Sequence, residues 1–150
     1  MSHNFSTKNS PTGPSAFRYR VGLNSEAAYL VSGRPWCKSE IDCESAPVKI
    51  SFPSVTRWVQ IFNYDDVNTH ILYVAFSENG LPSNGGTNYF SLEDAITSPH
   101  SEMGHNTANL ELKVTELWIE GSDSVEIVAG LTSIDSTAIK NNWSGSAGVG

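Results

Sequence analysis

Charged residues are scarce in this sequence of 150 residues, at 17%, whereas about a quarter is usual in globular domains. A coiled coil needs abundant Glu and Lys in a heptad pattern, so the composition excludes it, and it also excludes a collagen-like or disordered chain. Uncharged polar residues are abundant instead, since serine, threonine and asparagine together account for 43 residues. We therefore expect one ordinary folded domain whose surface is covered by hydroxyl and amide groups.

Long apolar runs are also missing. The longest, Ile71–Phe76, has the size of one strand, whereas a helix that spans a bilayer needs about 18 apolar residues. The first twenty residues contain Pro11, Gly13 and Pro14 but no apolar stretch. We therefore expect no signal peptide, and synthesis of the chain in the cytoplasm.

Basic residues are outnumbered, 9 against 16 acidic ones, which gives a net charge of −7. Such a domain repels phosphate backbones, so general nucleic-acid binding is disfavoured. The charge is uneven, because Lys8, Arg18 and Arg20 give the first 25 residues +3 and the remainder carries −10. This segment is either a solvated, flexible terminus or a short basic arm that contacts an acidic partner.

Catalytic motifs are lacking as well. The sequence has no Gly-x-Ser-x-Gly elbow, no phosphate-binding glycine loop followed by Lys and no His-Glu-x-x-His. The adjacent acids Asp65 and Asp66 lie between two apolar segments, and neighbours in an extended chain point in different directions. We expect them to form a solvated turn rather than an acid/base pair, and we expect the protein not to be an enzyme.

Only two cysteines are present, Cys37 and Cys43, with five residues between them. In a reducing compartment both are expected to be free thiols. A small-loop disulfide in oxidising surroundings stays open, provided that the two Cα atoms lie about 4.4–6.8 Å apart.

Metal ligands exist but in no specific pattern. The two cysteines with His100 and His105 could form a zinc site, although structural sites usually have two to four residues between cysteines. A cupin-like enzyme that uses His100, Glu102 and His105 is a second possibility. A calcium site is equally unspecific, and its carboxylates would be Glu78, Asp94 and Asp123. We expect no metal and no other cofactor.

Four tryptophans raise the question of sugar binding, because exposed aromatic faces stack on sugar rings. Trp58 and Trp118 lie in predicted strands and are expected in the core or an interface, whereas Trp36 lies in a predicted loop and Trp143 in a tail. The alternative function is therefore a carbohydrate-binding module. Its predicted site is Trp36 or Trp143 beside amides such as Asn84 or Asn88.

Short apolar or alternating segments separated by turn residues indicate at least seven strands with almost no helix. This pattern predicts an all-β fold, an antiparallel β-sandwich formed as a single jelly roll of about eight strands. The predicted strands are Glu26–Ser32, Val48–Phe52, Val55–Asn63, Ile71–Ser77, Tyr89–Leu92, Asn109–Glu120 and Val125–Leu131.

Two of these strands carry further expectations. In Asn109–Glu120 the apolar alternation changes phase after Val114, which predicts a β-bulge near Thr115–Glu116. In Val125–Leu131 the alternate residues are expected to face inward. The domain organisation is a flexible arm over 1–16, one jelly-roll domain over 17–140 and a flexible tail over 141–150.

Five segments together resemble a known family, the small single jelly-roll penton proteins of large icosahedral double-stranded DNA viruses. The resemblance covers about residues 48–134 and consists of strand patterns rather than catalytic signatures. The segments are Phe52–Asn63, Leu72–Gly80, Asn88–Leu92, Leu110–Leu117 and Val125–Thr132.

The resemblance implies a structural capsid protein that forms a homopentamer at the fivefold vertices of a virion. It implies contacts with major and minor capsid proteins around the vertex, and a basic N-terminal arm directed at an acidic interior partner. It carries over no catalytic residue, no cofactor and no small-molecule substrate. The expected location is the capsid vertex, after synthesis in the host cytoplasm.

Overall fold

The structure, a computed structural model, describes residues 21–65, 70–93 and 106–150. The described part is mostly β, with one short α-helix, α1 (Glu26–Leu30), and four 3₁₀ turns at Glu78–Gly80, Pro82–Asn84, Ser136–Ala138 and Lys140–Trp143. Seven strands are present in these ranges: β1 (Arg34–Ile41), β2 (Val48–Ser51), β3 (Ser54–Asn63), β4 (Leu72–Ala75), β5 (Tyr89–Leu92), β6 (Glu116–Glu120) and β7 (Val125–Asp135).

The strands form two antiparallel sheets, one in the order β1-β7-β3 and one in the order β2-β6-β4-β5. Inward side chains of both sheets meet in one shared core. Each large apolar side chain that is fully buried there stabilises the fold by about 1.5–3 kcal/mol. The predicted all-β sandwich is thus confirmed. Among the fully buried side chains are Ile50, Ile61, Leu72, Ile119 and Ile127.

The strands with clean alternation are confirmed. In β7 the predicted inward residues Val125, Ile127, Ala129 and Leu131 are all buried, and the strand continues to Asp135. It pairs with β1 on one side and with β3 on the other. A central strand of this kind is specified by period-2 burial, which a one-residue slip would reverse.

The first predicted strand is wrong, because Glu26–Leu30 forms α1. Glu26, Ala27, Ala28 and Leu30 favour helix, and no residue within Glu26–Leu30 is β-branched. A short apolar segment cannot be assigned by periodicity alone. No helix in the described ranges is long and apolar enough to cross a bilayer.

Strand β1 was expected to be a loop around Trp36. Only Ile41 in this strand is buried, so the sequence lacks the alternation by which strands are recognised. Pro35 fits because β1 forms the outer edge of its sheet, where a missing N–H does not interrupt a ladder. Trp36 packs edge-on against Phe52, with ring centroids 4.8 Å apart.

The predicted bulge near Thr115–Glu116 is instead a change of sheet. Residues 106–114 run antiparallel beside β3, with bridges from Asn106 to Phe62 and from Leu110 to Val59. From Glu116 the chain belongs to β6, in the other sheet. The alternation changes phase because the residues before and after Thr115 face the core from opposite sides.

The last ten residues, expected to be a flexible tail, lie against the domain. Ser77 Oγ donates a hydrogen bond of 2.7 Å to the Val149 carbonyl, and Trp143 Nε1 donates one of 2.6 Å to the Lys113 carbonyl. Asn142 is 1% exposed. The Ser- and Gly-rich composition gave no indication of this docking, because the docking depends on polar contacts rather than on apolar alternation.

The Asn142 side chain is the anchor of this segment. Its Oδ1 accepts from the backbone N–H groups of Thr115 at 2.6 Å and Glu116 at 3.3 Å, and from the Thr115 hydroxyl at 3.2 Å. Its Nδ2 donates to the carbonyls of Phe76 and Glu116, both at 2.8 Å. One amide thus joins the end of β4, the start of β6 and the C-terminal segment.

Replacing this amide tests the anchor. Asn142 has a positive φ of 45°, so Asn142→Gly keeps the backbone conformation accessible and removes only the side chain. We expect the free energy of unfolding to fall by about 2–4 kcal/mol, because buried backbone groups lose their partners. Urea denaturation measures the change. Asn141→Gly is the matched control: Asn141 is exposed and has φ 55°, and an effect equal to that of Asn142→Gly would contradict the anchor.

Candidate functional site

A polar groove of about 590 Å³ lies on the outer face of the second sheet. Its floor is formed by Lys49 and Ser51 of β2 and by Glu116 and Trp118 of β6. These side chains point outward because Leu117 and Ile119, their neighbours in β6, are buried in the core. The groove is therefore built on a rigid sheet surface.

Two segments outside the sheet form the walls. One is the turn after β4, which contributes Ser77, Glu78 and Asn79. The other is formed by the 3₁₀ turn Ser136–Ala138 and the C-terminal segment, which contribute Ser136, Thr137, Asn141 and Ser144. The Asn142 amide anchors the C-terminal segment, so this part of the second wall depends on its docking.

Lys49 and Glu116 define the electrostatics of the groove floor. Lys49 Nζ lies 2.5 Å from Glu116 Oε2 and 5.5 Å from the centre of the Trp118 ring. The Lys49 side chain is 44% exposed, so the ion pair adds little to stability. Within the groove, the pair keeps the Lys49 ammonium, a hydrogen-bond donor, and the Glu116 carboxylate, an acceptor, close to the Trp118 ring.

A second polar cluster lies at one end of the sandwich, around His70. Its Nδ1 is 2.8 Å from Asp65 Oδ2, and its Nε2 is 3.5 Å from Glu44 Oε1. Ionised carboxylates only accept hydrogen bonds, so both ring nitrogens face acceptors, which favours the protonated imidazolium. The hydrogen bond to Asp65 raises the pKa of His70, and the negative charges of Asp65, Glu44 and Asp123 raise it further.

The expectation of a solvated turn at Asp65 is wrong. Asp65 is fully buried, and its Oδ2 also accepts from the Asp123 backbone N–H at 3.0 Å. Asn63 continues the network, because its Oδ1 accepts from the Ser122 hydroxyl at 2.8 Å. The pair of Asp65 and His70 therefore joins β3 to the turn between β6 and β7. Asp66 lies outside the described residues.

The two cysteines are free thiols in different settings. Cys37 is exposed in β1, and Cys43 is buried in the shared core. Burial raises the pKa of Cys43 to about 11, so its thiol is neutral at physiological pH and is a poor metal ligand or nucleophile.

Only some of the predicted metal ligands lie in the described part of the chain. His100, Glu102, His105 and Asp94 lie outside the described residues. Within the ranges that are described, no group of three or more His, Cys, Asp or Glu side chains could hold a metal ion.

The four tryptophans occupy four different environments. Trp58 lies on the outer face of the first sheet, with its indole ring packed directly against Gly130. A Cβ atom at position 130 would be only 2.3 Å from Trp58 Nε1. Trp36 packs on Phe52, and Trp143 is 39% exposed on the C-terminal segment. Trp118, expected in the core or an interface, is half-buried in the polar groove.

His70 and the groove residues were not found from the sequence. Asp65 and His70 lie near the two ends of the connection between β3 and β4, and the ends of such a connection are often close in space. Their positions in the sequence were the one signal that could have indicated the pair. Nothing in the local sequence of Asn141 and Asn142 indicates that they line a groove together with Trp118, because the groove joins residues distant in the chain.

The His70 cluster predicts a pH dependence of stability. Because the folded-state pKa of His70 lies above the unfolded value, its contribution is complete below about pH 6.5 and is lost as the pH rises through the folded-state pKa. Urea unfolding from about pH 6 to 9 should therefore show a decline in the wild type that is smaller in His70→Gln. Equal slopes in the two proteins would contradict the prediction.

Comparisons of the chain with models of protein families, with curated proteins and with solved structures find no match. The penton resemblance therefore depends on the strand segments alone, and the function has to be inferred from the sandwich and its surfaces.

Proposed function

We propose that this protein is a structural capsid subunit, a penton that assembles as a homopentamer at the vertices of an icosahedral virion. The observation that carries the proposal is the order of the strands. If residues 106–114, which lie beside β3, are counted as a strand, the sheets contain eight strands in the orders 1-8-3-6 and 2-7-4-5. Interlocked Greek keys of this kind make up a jelly roll, an architecture of viral capsid domains.

An exposed apolar pair supports association of copies. Leu30 and Val31, at the end of α1, are 77% and 63% exposed, whereas Ala28 and Tyr29 pack against the buried cluster of Val55, Ile134 and Ile139. Large apolar side chains that stay exposed next to each other are typical of interaction surfaces. A ring of five copies uses heterologous contacts, in which this patch would meet a different patch of the next subunit.

Lectin domains share the jelly-roll architecture, so a carbohydrate-binding module is the alternative function. Its predicted site is not supported. Trp36 packs on Phe52, and Asn84 Nδ2 donates to the Glu78 carbonyl at 2.9 Å. Neither Asn84 nor Asn88 lines a described cavity with Trp36 or Trp143.

Native mass spectrometry of the full chain over a concentration series tests the penton proposal. We expect a closed particle of five chains of 16.3 kDa each, because cyclic heterologous contacts close at a fixed number. A monomer at every concentration would contradict self-assembly and would favour the alternative.

A paired set of variants locates the contact. Leu30→Glu combined with Val31→Glu should shift the population from pentamer to monomer, since burial of two carboxylates opposes association. Ile71→Glu is the matched control: Ile71 is 38% exposed and lies beside Gly121, at the opposite end of β7 from α1. Loss of the pentamer in the control alone would place the contact elsewhere.

A further inference from the structure

The chemistry of the groove on the second sheet restricts what it can bind. Its ionisable lining residues are Lys49, Glu78 and Glu116, so its formal charge is −1, and it offers no excess of positive charge to an anion. Phosphate groups, nucleotides and acidic peptides are therefore poor ligands. The net charge of the whole chain, −7, also disfavours the binding of anions.

An apolar ligand is also disfavoured. Besides Trp118, the apolar lining residues are Phe52 and Ile139, which are only 3% and 6% exposed. The Trp118 ring is therefore the one substantial apolar surface that the groove presents. All other lining residues are hydroxyl, amide or charged side chains.

A ring face surrounded by hydroxyl and amide groups matches a sugar. The axial C–H groups of a pyranose carry partial positive charge and pack against the negative face of an indole. Asn79, in the turn after β4, and Asn141, in the C-terminal segment, both line the groove and are exposed. Each side-chain amide offers a donor and an acceptor, which suits adjacent hydroxyl groups of a saccharide.

We propose that this groove is a binding site for a neutral saccharide, with Trp118 as the stacking platform and Asn79 and Asn141 as hydrogen-bonding partners. Lys49 Nζ lies over this ring, 5.5 Å from its centre, and its side chain is 44% exposed; a stacked sugar takes the place of the ammonium group on that face, and Lys49 then serves as a charged donor at the edge of the ring. The site differs from the one predicted at Trp36 or Trp143. It does not depend on the penton assignment, because a capsid subunit and a lectin could both present it.

Part of the groove is preorganised, which lowers the entropy cost of binding. Its floor is a hydrogen-bonded pair of strands, β2 and β6. Its C-terminal wall is fixed by Asn142, whose amide makes hydrogen bonds to Thr115, Glu116 and Phe76. A ligand would therefore meet positioned groups instead of having to order them.

Fluorine NMR of the full chain labelled with 5-fluorotryptophan tests the proposal, because each of the four tryptophans gives its own signal. The probes are neutral tetrasaccharides of glucose, galactose, mannose and N-acetylglucosamine, with a heparin-derived tetrasaccharide as the acidic comparison. We expect at least one neutral probe to shift the Trp118 signal saturably and to leave Trp36 and Trp58 unchanged. The acidic probe should bind at least about tenfold more weakly.

Variants separate the groove from other exposed aromatic groups. Trp118→Ala should weaken binding of the neutral probe at least about tenfold, whereas Trp118→Phe, which keeps a ring, should lose less. Tyr64→Ala is the matched control, since Tyr64 is 53% exposed and does not line the groove; it should change affinity less than about twofold. Calorimetry measures these affinities.

Three results would overturn the proposal. The first is that no neutral probe moves the Trp118 signal up to about 20 mM, a concentration at which even weak sites fill. The second is that Trp118→Ala, shown to be folded by its retained unfolding transition, binds like the wild type. The third is preferred binding of the acidic probe.

Discussion

The crossing between the two sheets at residues 114–116 is the constraint on which much of the structure depends. A backbone that leaves one ladder for another has N–H and C=O groups that the regular ladders do not pair, and burial makes unpaired groups costly. Two side chains satisfy them here. Thr56 Oγ1 accepts from the Val114 N–H and donates to the Leu112 carbonyl, and Asn142 accepts from Thr115 and Glu116. The crossing therefore requires the C-terminal segment to dock.

Because the sequence has few charged residues, neutral side chains pair these buried backbone N–H and C=O groups. The hydroxyl and amide side chains that dominate the composition hold the crossing, anchor the last residues and line the groove. The cluster around His70 is the exception, because there a buried carboxylate is retained with a cationic partner. His70 is the cationic partner of the Asp65 carboxylate, and the Asp123 backbone N–H donates to the same oxygen atom, so the stability of this end of the sandwich varies with the protonation of one imidazole.

The same architecture supports more than one function, because a β-sandwich by itself is a scaffold. Assembly would use the ends and edges of the sandwich, where Leu30 and Val31 are exposed. Saccharide binding would use the outer face of the second sheet, where Trp118, Asn79 and Asn141 line the groove. The two surfaces involve different residues, so one protein could carry both.

The sequence by itself determined the fold class and the strands with period-2 burial, because alternation along one strand is a local property. Strands β3 and β7 follow from it directly. It did not indicate β1, whose residues are mostly exposed, and it assigned α1 to a strand, because five residues carry too little periodicity. The phase change near Thr115 was visible, but only the tertiary structure decided that it marks a change of sheet. The groove and the pairing of Asp65 with His70 were likewise decided there, since their contacts are made in the folded chain: Asn142 is 26 residues from Glu116, and Asp123 is 58 from Asp65.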